Sequence, residues 1–178
     1  FQWAVSQGGG SAAPISGLPR ALYTVGAKAQ GHVITATIGG VTGSIPVTIR
    51  PADPERLFIF DVTPPNNTIT QVTLEPNLDY QLGVRVEDAY ENVISMPVTY
   101  SIVRPEEDLL ADPPVIPVNA SVSPSGLIRA GTISGDATIV VTATQELVLA
   151  IDLTVLPGEP VQIAVLPEQL VLTPQETV

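Results

Sequence analysis

The chain repeats one stretch, Val47-Thr-Ile-Arg-Pro-Ala-Asp-Pro-Glu-Arg-Leu-Phe-Ile-Phe60, which returns as Leu153-Thr-Val-Leu-Pro-Gly-Glu-Pro-Val-Gln-Ile-Ala-Val-Leu166. The two stretches lie 106 residues apart (153 − 47) and match without a gap. Each holds a Pro-x-x-Pro linker between two apolar, strand-like runs. Because a sandwich domain has roughly 100 residues, this period indicates tandem copies of one β domain.

Two further matches upstream extend the repeat. Val33-Ile-Thr-Ala-Thr37 returns as Val140-Val-Thr-Ala-Thr144, 107 residues later (140 − 33), and Phe1-Gln-Trp-Ala-Val5 aligns with Val98-Thr-Tyr-Ser-Ile102, 97 residues later (98 − 1). Strand-like blocks keep their pattern while the connections between them change length, as loops do. The matches predict three parts, listed in chain order: 1–50 as the C-terminal part of one domain, 51–157 as a complete domain, and 158–178 as the opening strands of a following domain.

Both end domains are incomplete on this division. Either the chain is one part of a longer array of domains, or a neighbouring molecule donates the missing strands. We expect the longer array, because the two partial domains together still lack counterparts of residues 73–97.

Composition limits the fold and the partners. Eighteen Pro and fourteen Gly, with many Val, Thr and Ile, oppose long helices and favour short strands joined by turns. Eighteen acidic against seven basic residues give a net charge of −11, so neither nucleic acid nor an anionic membrane surface is an expected partner. The longest apolar run, Leu147 to Leu156, is shorter than the roughly 18 residues of a membrane span. The absence of Cys excludes disulfides and thiolate zinc sites.

Alternation of apolar and polar residues predicts the strands of the complete copy. Tyr80, Leu82, Val84 and Val86 alternate with polar residues or glycine, and the run from Ile139 to Val155 reads as a hairpin with one inward face. Pro and Asn at 64–67 interrupt the first strand and predict a switch between sheets. About seven short strands with frequent turns predict an all-β fold of tandem immunoglobulin-like β-sandwich domains.

The order of these blocks resembles the bacterial immunoglobulin-like (Big) repeats of invasin- and intimin-type adhesins and surface-layer proteins. The matching residues are aromatic, glycine, strand and linker positions: Trp3 and Tyr100, Gly17-Leu18 and Gly126-Leu127, Val33–Thr37 and Val140–Thr144, and the linkers at Pro51 and Pro157. Val86-Glu-Asp-Ala-Tyr-Glu-Asn92 is similar to the Asp-x-x-Gly-Asn turn of that family, with Glu91 in the place of the glycine. The resemblance implies an extracellular, cell-surface repeat domain.

No catalytic site is predicted. The single histidine, His32, precedes a strand, where a solvated surface residue is the expected interpretation. The chain contains no Gly-x-Ser-x-Gly elbow, phosphate-binding glycine loop or histidine-rich metal motif. We therefore expect a protein that is not an enzyme.

Two clusters of carboxylates are candidates for calcium, Glu87, Asp88 and Glu91 around one turn, and Glu106, Glu107, Asp108 and Asp112 in a long loop. Calcium takes six to eight oxygen ligands, and neither cluster has the regular spacing of a calcium loop. A separate candidate lies at the domain junction, with Asp53, Glu55 and Asp61, or Glu159, but Pro51 and Pro54 already stiffen that linker. Solvated turns without a cofactor are the favoured interpretation, with calcium as the alternative.

Four surface positions are candidates for contacts or modification. Phe58 and Phe60 alternate with inward-facing residues, so their rings are covered by a neighbouring domain or loop, or contact another subunit. Asn66 and Asn119 begin Asn-x-Ser/Thr triplets, which are glycosylation acceptors in organisms that glycosylate secreted proteins.

Together these observations predict a structural or spacer segment of an extracellular cell-surface protein or filament. Its expected partners are neighbouring immunoglobulin-like domains of the same chain or of adjacent subunits. The alternative is an adhesin module that binds a host receptor or a glycan through loops such as Arg104 to Val118. The two differ in whether the loops bind a specific ligand.

Overall fold

The structure, a computed structural model, describes residues 1–107, 109–110 and 115–160, in which the regular elements are fourteen β-strands. The predicted all-β fold is confirmed. The strands are β1 (Gln2–Val5), β2 (Gly10–Pro14), β3 (Ala21–Val25), β4 (Gly31–Ile38), β5 (Val41–Thr48), β6 (Arg56–Asp61), β7 (Gln71–Leu74), β8 (Asp79–Glu87), β9 (Val93–Ile94), β10 (Thr99–Val103), β11 (Ser121–Val122), β12 (Leu127–Arg129), β13 (Gly135–Thr142) and β14 (Val148–Val155). The opening strands predicted within 158–178 lie, from residue 161 onward, outside the described residues.

Residues 51–157, the central segment, form two sheets. One sheet has the order β10-β13-β14-β7, in which only the β14–β7 pair is parallel. The other has the order β11-β12-β8-β6, with the short β9 also paired to β8. Consecutive strands β6 and β7 belong to opposite sheets, so the predicted switch at 64–67 is confirmed.

A single apolar core lies between these sheets. In the last hairpin Ile139, Val141, Ile151, Leu153 and Val155 are buried, as the alternation predicts. The inward position predicted for Leu149 is wrong: this side chain is 39% exposed, and it lies near the hairpin turn, outside the part of β14 that pairs with β7. Each fully buried Leu, Ile or Val contributes roughly 1.5 to 3 kcal/mol to the burial free energy. The buried apolar residues all belong to the central segment: Leu57, Ile59, Val72, Leu74, Leu82, Val86, Val118, Ala120, Ile128, Ala130, Ala137, Ile139, Val141, Ile151, Leu153 and Val155.

Residues 1–50, the N-terminal segment, form a three-stranded sheet, β1-β4-β5, and a two-stranded sheet, β2-β3. These strands match β10, β13 and β14, and β11 and β12, of the central segment. Among the described residues nothing corresponds to β6, β7, β8 or β9 in this segment. As a result, apolar side chains of this segment are exposed to solvent. Ile45 on β5 is 63% exposed, whereas Ile151, its counterpart 106 residues later, is 3% exposed.

The register of the β4–β5 hairpin differs from the sequence match by two residues. Ile34 pairs with Ile45 and Ile139 pairs with Ile151. Because Ile45 and Ile151 are 106 residues apart, the structural counterparts on β4 and β13 are 105 apart (139 − 34) instead of 107. A shift of two residues keeps every side chain on the same face of a strand, so the predicted inward positions survive.

No helix that could cross a bilayer is found in the part of the chain that the structure describes.

Candidate functional site

The turn after β8 places a fully buried aspartate beside the linker between the two segments. Asp88 has no exposed surface, and its carboxylate accepts four hydrogen bonds. Oδ1 accepts the backbone N–H groups of Tyr90 at 2.8 Å and Asn92 at 2.9 Å. Oδ2 accepts the Asn92 amide and the backbone N–H of Ala52, both at 2.8 Å. A carboxylate offers about four lone-pair positions, so this acceptor is saturated.

These hydrogen bonds determine the charge state of Asp88. Burial alone would raise the pKa of its carboxyl, and the hydrogen bonds from Asn92, Ala52 and Tyr90 outweigh burial and hold the pKa well below its ordinary value. The group is therefore ionised at neutral pH. The four N–H donors balance the buried charge, because hydrogen bonds to an ionised acceptor are stronger than neutral ones.

Asn92 carries this network into the N-terminal segment. Its Nδ2 donates to the carbonyl of Ala27 at 2.8 Å, and its Oδ1 accepts the backbone N–H of Ala29 at 2.9 Å. The same Nδ2 donates to Asp88, which fixes the orientation of the carboxamide. One side chain of the central segment thus binds a backbone carbonyl and a backbone N–H of the loop before β4. We call the set Ala27, Ala29, Ala52, Asp88 and Asn92 the junction network.

Two cationic side chains flank the junction network. Arg56 Nη2 donates to the carbonyl of Asp88 at 3.2 Å and to that of Ala89 at 3.4 Å. Lys28 Nζ donates to the carbonyl of Tyr90 at 3.4 Å in an exposed position. The two contacts at 3.4 Å are exposed and add little stability, so most of the stability of the junction comes from the buried amide and carboxylate.

The loop before β4 is itself held by His32, for which the prediction of a solvated surface residue is wrong. His32 is only 3% exposed. Its Nε2–H donates to the carbonyl of Lys28 at 3.2 Å, and its Nδ1 lies 3.3 Å from the hydroxyl of Ser6. Gly9 permits this burial, because a Cβ there would lie 2.7 Å from the imidazole Cγ. His32 therefore supports the backbone that Asn92 contacts.

Glu91 takes the place of the glycine in the Asp-x-x-Gly-Asn pattern described above, and its backbone has the conformation that glycine favours. Its φ is 64°, in the left-handed region. Its backbone N–H donates to the carbonyl of Asp88 at 3.2 Å, which closes the turn. The turn thus forms without glycine, at the cost of some backbone strain.

The carboxylates that were candidates for calcium have separate surroundings. Asp88 has no lone pair left for a cation. Glu87 pairs with Arg85 at 2.8 Å, Glu91 lies 3.9 Å from Arg56, and Asp61 accepts the N–H of Thr63 at 2.7 Å. Among residues 1–107, 109–110 and 115–160, no group of three or more acidic or histidine side chains could hold a metal ion. Asp108 and Asp112 of the loop cluster lie outside the described residues, and calcium at Asp53, Glu55 or the other exposed carboxylates stays a prediction.

The rings of Phe58 and Phe60 are half-buried on the outer face of β6. Phe60 lies over Gly83, its partner on β8, where a Cβ would come within 2.3 Å of the ring. The Arg85 guanidinium carbon lies 5.2 Å from the centre of the Phe58 ring, a cation–π geometry. The sheet itself thus covers part of both rings, and their role in an interface stays a prediction.

The two asparagines of the glycosylation triplets lie outside the strands, Asn66 in a turn and Asn119 in an irregular segment before β11. Asn66 has a φ of 59° and is exposed. Asn119 is exposed as well, and its Oδ1 accepts the backbone N–H of Ile133 at 3.0 Å. Glycosylation of either residue stays a prediction.

No protein-family profile matches the chain, and no curated protein sequence matches it. Among solved structures, the chain is similar to that of FdeC, an Escherichia coli adhesin, with 14% identity and a TM-score of 0.58 over 89% of this chain and 52% of that one. It is also similar to domains 4–9 of the surface layer protein SbsC, with 21% identity and a TM-score of 0.41 over 81% of this chain and 20% of that one. A structure of SbsC domains 4 and 5 gives 18% identity and a TM-score of 0.40 over 86% and 68% of the two chains.

At these sequence identities the similarity establishes the fold alone, and it rests on FdeC, whose TM-score is 0.58. The chain spans about half of the FdeC structure and a fifth of the larger SbsC structure. The central segment and its neighbours share an immunoglobulin-like, all-β architecture.

Proposed function

We propose that this chain is a spacer segment of an extracellular cell-surface protein or filament. In this proposal residues 1–50 and 51–157 belong to successive immunoglobulin-like domains, and the junction network fixes the angle between them. The observation that carries the proposal is the Asn92 carboxamide, which binds the carbonyl of Ala27 and the N–H of Ala29 across the junction. The likeness to an adhesin fold supports the extracellular assignment by analogy.

Several features make the junction stiff. The linker contains Pro51 and Pro54, whose φ angles are fixed by their rings. Ala52, one of the two residues between them, donates its N–H to Asp88, so the linker backbone is bound to the domain that follows it. Asn92 then binds the domain that precedes it. A linker attached on both sides transmits force and orientation, whereas a free linker permits each domain to rotate independently.

The test compares the wild-type chain with Asn92→Ala by nuclear magnetic resonance. In the wild type, residual dipolar couplings of β4–β5 and β13–β14 amides should fit one alignment tensor, and the Ala29 amide should exchange slowly with solvent. Asn92→Ala should speed exchange at the Ala29 amide by about tenfold, because one hydrogen bond is lost. The dipolar couplings of the two hairpins should then require two different alignment tensors. Amides of Ile34 and Ala36 within β4 serve as the internal control. Two unrelated tensors in the wild type would overturn the proposal.

The extracellular location has its own test. An antibody against residues 1–160 should label intact cells of the source organism. Labelling only after the cells are permeabilised would contradict a surface location.

A second candidate function is adhesion, and one groove favours it. A groove of about 540 Å³ lies on the outer face of the β10-β13-β14-β7 sheet, beside the start of the loop from Arg104. Hydroxyl, amide and carboxylate side chains line it, among them Gln71, Thr138 and Asp152, and such groups bind sugar hydroxyls. A glycan array probed with the chain should show selective binding that Asp152→Ala abolishes; an empty array excludes this function for glycans.

A further inference from the structure

The far end of the central segment repeats the surface that Asn92 binds. The loop Gly26 to Gly31 precedes β4, and the loop Gly131 to Asp136 precedes and enters β13. The register of the two hairpins aligns these loops, because Gly31 pairs with Thr48 and Asp136 pairs with Thr154. Thr132 and Ser134 therefore stand where Ala27 and Ala29 stand at the first junction.

The linker repeats as well. Pro51-Ala-Asp-Pro54 leaves β5, and Pro157-Gly-Glu-Pro160 leaves β14 in the same place. The residue whose N–H is bound by Asp88 at the first junction is Ala52, and its counterpart is Gly158. Both backbone elements of the first junction, the loop and the linker, thus recur together at the second position.

The corresponding backbone groups on this second surface have no hydrogen-bond partner among the residues that the structure describes. Within residues 1–107, 109–110 and 115–160, neither the carbonyl of Thr132 nor the N–H of Ser134 makes a hydrogen bond, and both residues are exposed. At the first junction the corresponding carbonyl and N–H are bound by one carboxamide. The pair at Thr132 and Ser134 offers the same acceptor and donor on successive peptide groups.

We infer that this surface binds the Asp-x-x-x-Asn turn of a following immunoglobulin-like domain. The Asn carboxamide of that turn would donate to Thr132 O and accept from Ser134 N–H, and its Asp would accept the N–H of Gly158. This inference rests on the proposed function and specifies its partner: a repeat domain with the turn of residues 88–92, not a receptor or a glycan.

The second surface differs from the first in its charge. Ile133 takes the position of Lys28, and Leu156 takes that of Arg50; these two apolar residues are 38% and 40% exposed. The contact that Lys28 Nζ makes with the Tyr90 carbonyl has no equivalent here.

The test is a tandem chain in which residues 1–160 are followed directly by a second copy of residues 55–157. This fusion reproduces the natural spacing, because Pro160 then stands where Pro54 stands. The amide of Ser134 in the first copy, which faces the appended copy, should exchange about tenfold more slowly than in the original chain. Asn92→Ala in the appended copy alone should restore fast exchange at Ser134, and the same substitution in the first copy alone should affect Ala29 only.

The two proposals fail in different ways. Protection of Ala29 without protection of Ser134 would overturn this inference and leave the proposed function intact. Loss of protection at both amides would overturn both. Slow exchange at Ile139 of the appended copy reports that this copy has folded, and an appended copy that does not fold after Pro160 also contradicts the inference.

Discussion

The carboxylate of Asp88 holds the carboxamide of Asn92 through a hydrogen bond of 2.8 Å, in a turn where both side chains are buried. Because Asp88 also accepts two backbone N–H groups of its own turn, it fixes the turn before Asn92 reaches the neighbouring segment. The aspartate thus acts through the asparagine: one residue organises the turn, and the other makes the contact across the junction.

Asp88→Asn should destabilise the chain and loosen the junction. The neutral amide presents an NH₂ group where Oδ2 or Oδ1 accepts N–H donors, so at least two donors lose their acceptor in a buried site. We expect the melting temperature to fall by about 5 to 10 °C and exchange at the Ala52 amide to become faster.

Asp136→Asn is the matched control for this change. Asp136 is exposed, and its side chain accepts one hydrogen bond, from Thr154 at 2.8 Å. Its substitution should shift the melting temperature by less than about 2 °C. Equal effects of the two substitutions would show that the junction network contributes nothing special to stability.

The low pKa of Asp88 predicts a loss of stability in acid. The ordinary pKa of an aspartate is 3.8, and the folded value lies below it, so the unfolded chain binds the proton more readily. The stabilising contribution is fully present above about pH 4 and declines as the pH falls towards the folded pKa. Asp61, whose pKa is lowered by the Thr63 N–H, adds to the same slope.

Urea midpoints measured from about pH 6 down to pH 2 check this prediction. The midpoint of the wild type should be level above about pH 4 and fall below it, and Asp88→Asn should flatten the acidic part of the curve. A slope that is identical in the wild type and the variant would mean that Asp88 is not ionised in the folded state.

The sequence predicts local features of this fold better than contacts across the junction. Alternation of apolar residues is a local pattern, so the β13–β14 hairpin and its inward face could be read directly. Asn92 and Ala27 are 65 residues apart, and the contact uses backbone groups of the loop, which leave no pattern in its side chains. The partner of Asn92 therefore could not be found from the sequence.

Two of the wrong predictions have simple physical reasons. A lone histidine at the start of a strand predicts a solvated surface residue, but Ser6 and the carbonyl of Lys28 give both nitrogens of His32 a partner in a buried position. The sequence match between β4 and β13 differs from the structural alignment by two residues. A two-residue slip leaves every side chain on the same face of the strand, so the apolar pattern alone cannot distinguish the two registers.

Glu91→Gly should be more stable than Glu91→Ala by about 1 kcal/mol, because an alanine at φ 64° retains the strain that glycine avoids. Both substitutions remove the same side chain and its 3.9 Å contact with Arg56, so their difference isolates the backbone. Denaturant unfolding of the two variants measures it. Equal stabilities would show that residue 91 leaves the left-handed region when its side chain is removed.

Gly83→Ala should displace the Phe60 ring. A Cβ at residue 83 would lie 2.3 Å from Cε2 of Phe60, and overpacking of this kind costs about 1 to 3 kcal/mol. Gly43→Ala on β5 is the control, since a Cβ there meets no atom within 4 Å, and it should change stability by less than about 0.5 kcal/mol. A Gly83→Ala variant as stable as Gly43→Ala would mean that Phe60 does not rest on Gly83 in solution.

Strands of the β6 to β9 type should complete the N-terminal segment when residues 51–97 are joined directly ahead of Phe1. In the central segment β7 pairs with β14 and β8 pairs with β12, and these contacts bury the counterparts of the apolar residues that are exposed on β5. The extended chain should bind less of the dye ANS than the original chain, and the amide of Ile45 should exchange more slowly. The added residues should also bring the N-terminal segment into a cooperative unfolding transition.

The same extension with Val72 and Leu74 of the added copy replaced by Asp is the control. These two residues are buried on β7, so their replacement should prevent the added strands from packing and restore ANS binding. If the unaltered extension also leaves ANS binding and Ile45 exchange unchanged, residues 1–50 are not the remainder of a sandwich like the central one. Self-association of the original chain that buries Ile45 would instead assign the exposed face to a second copy.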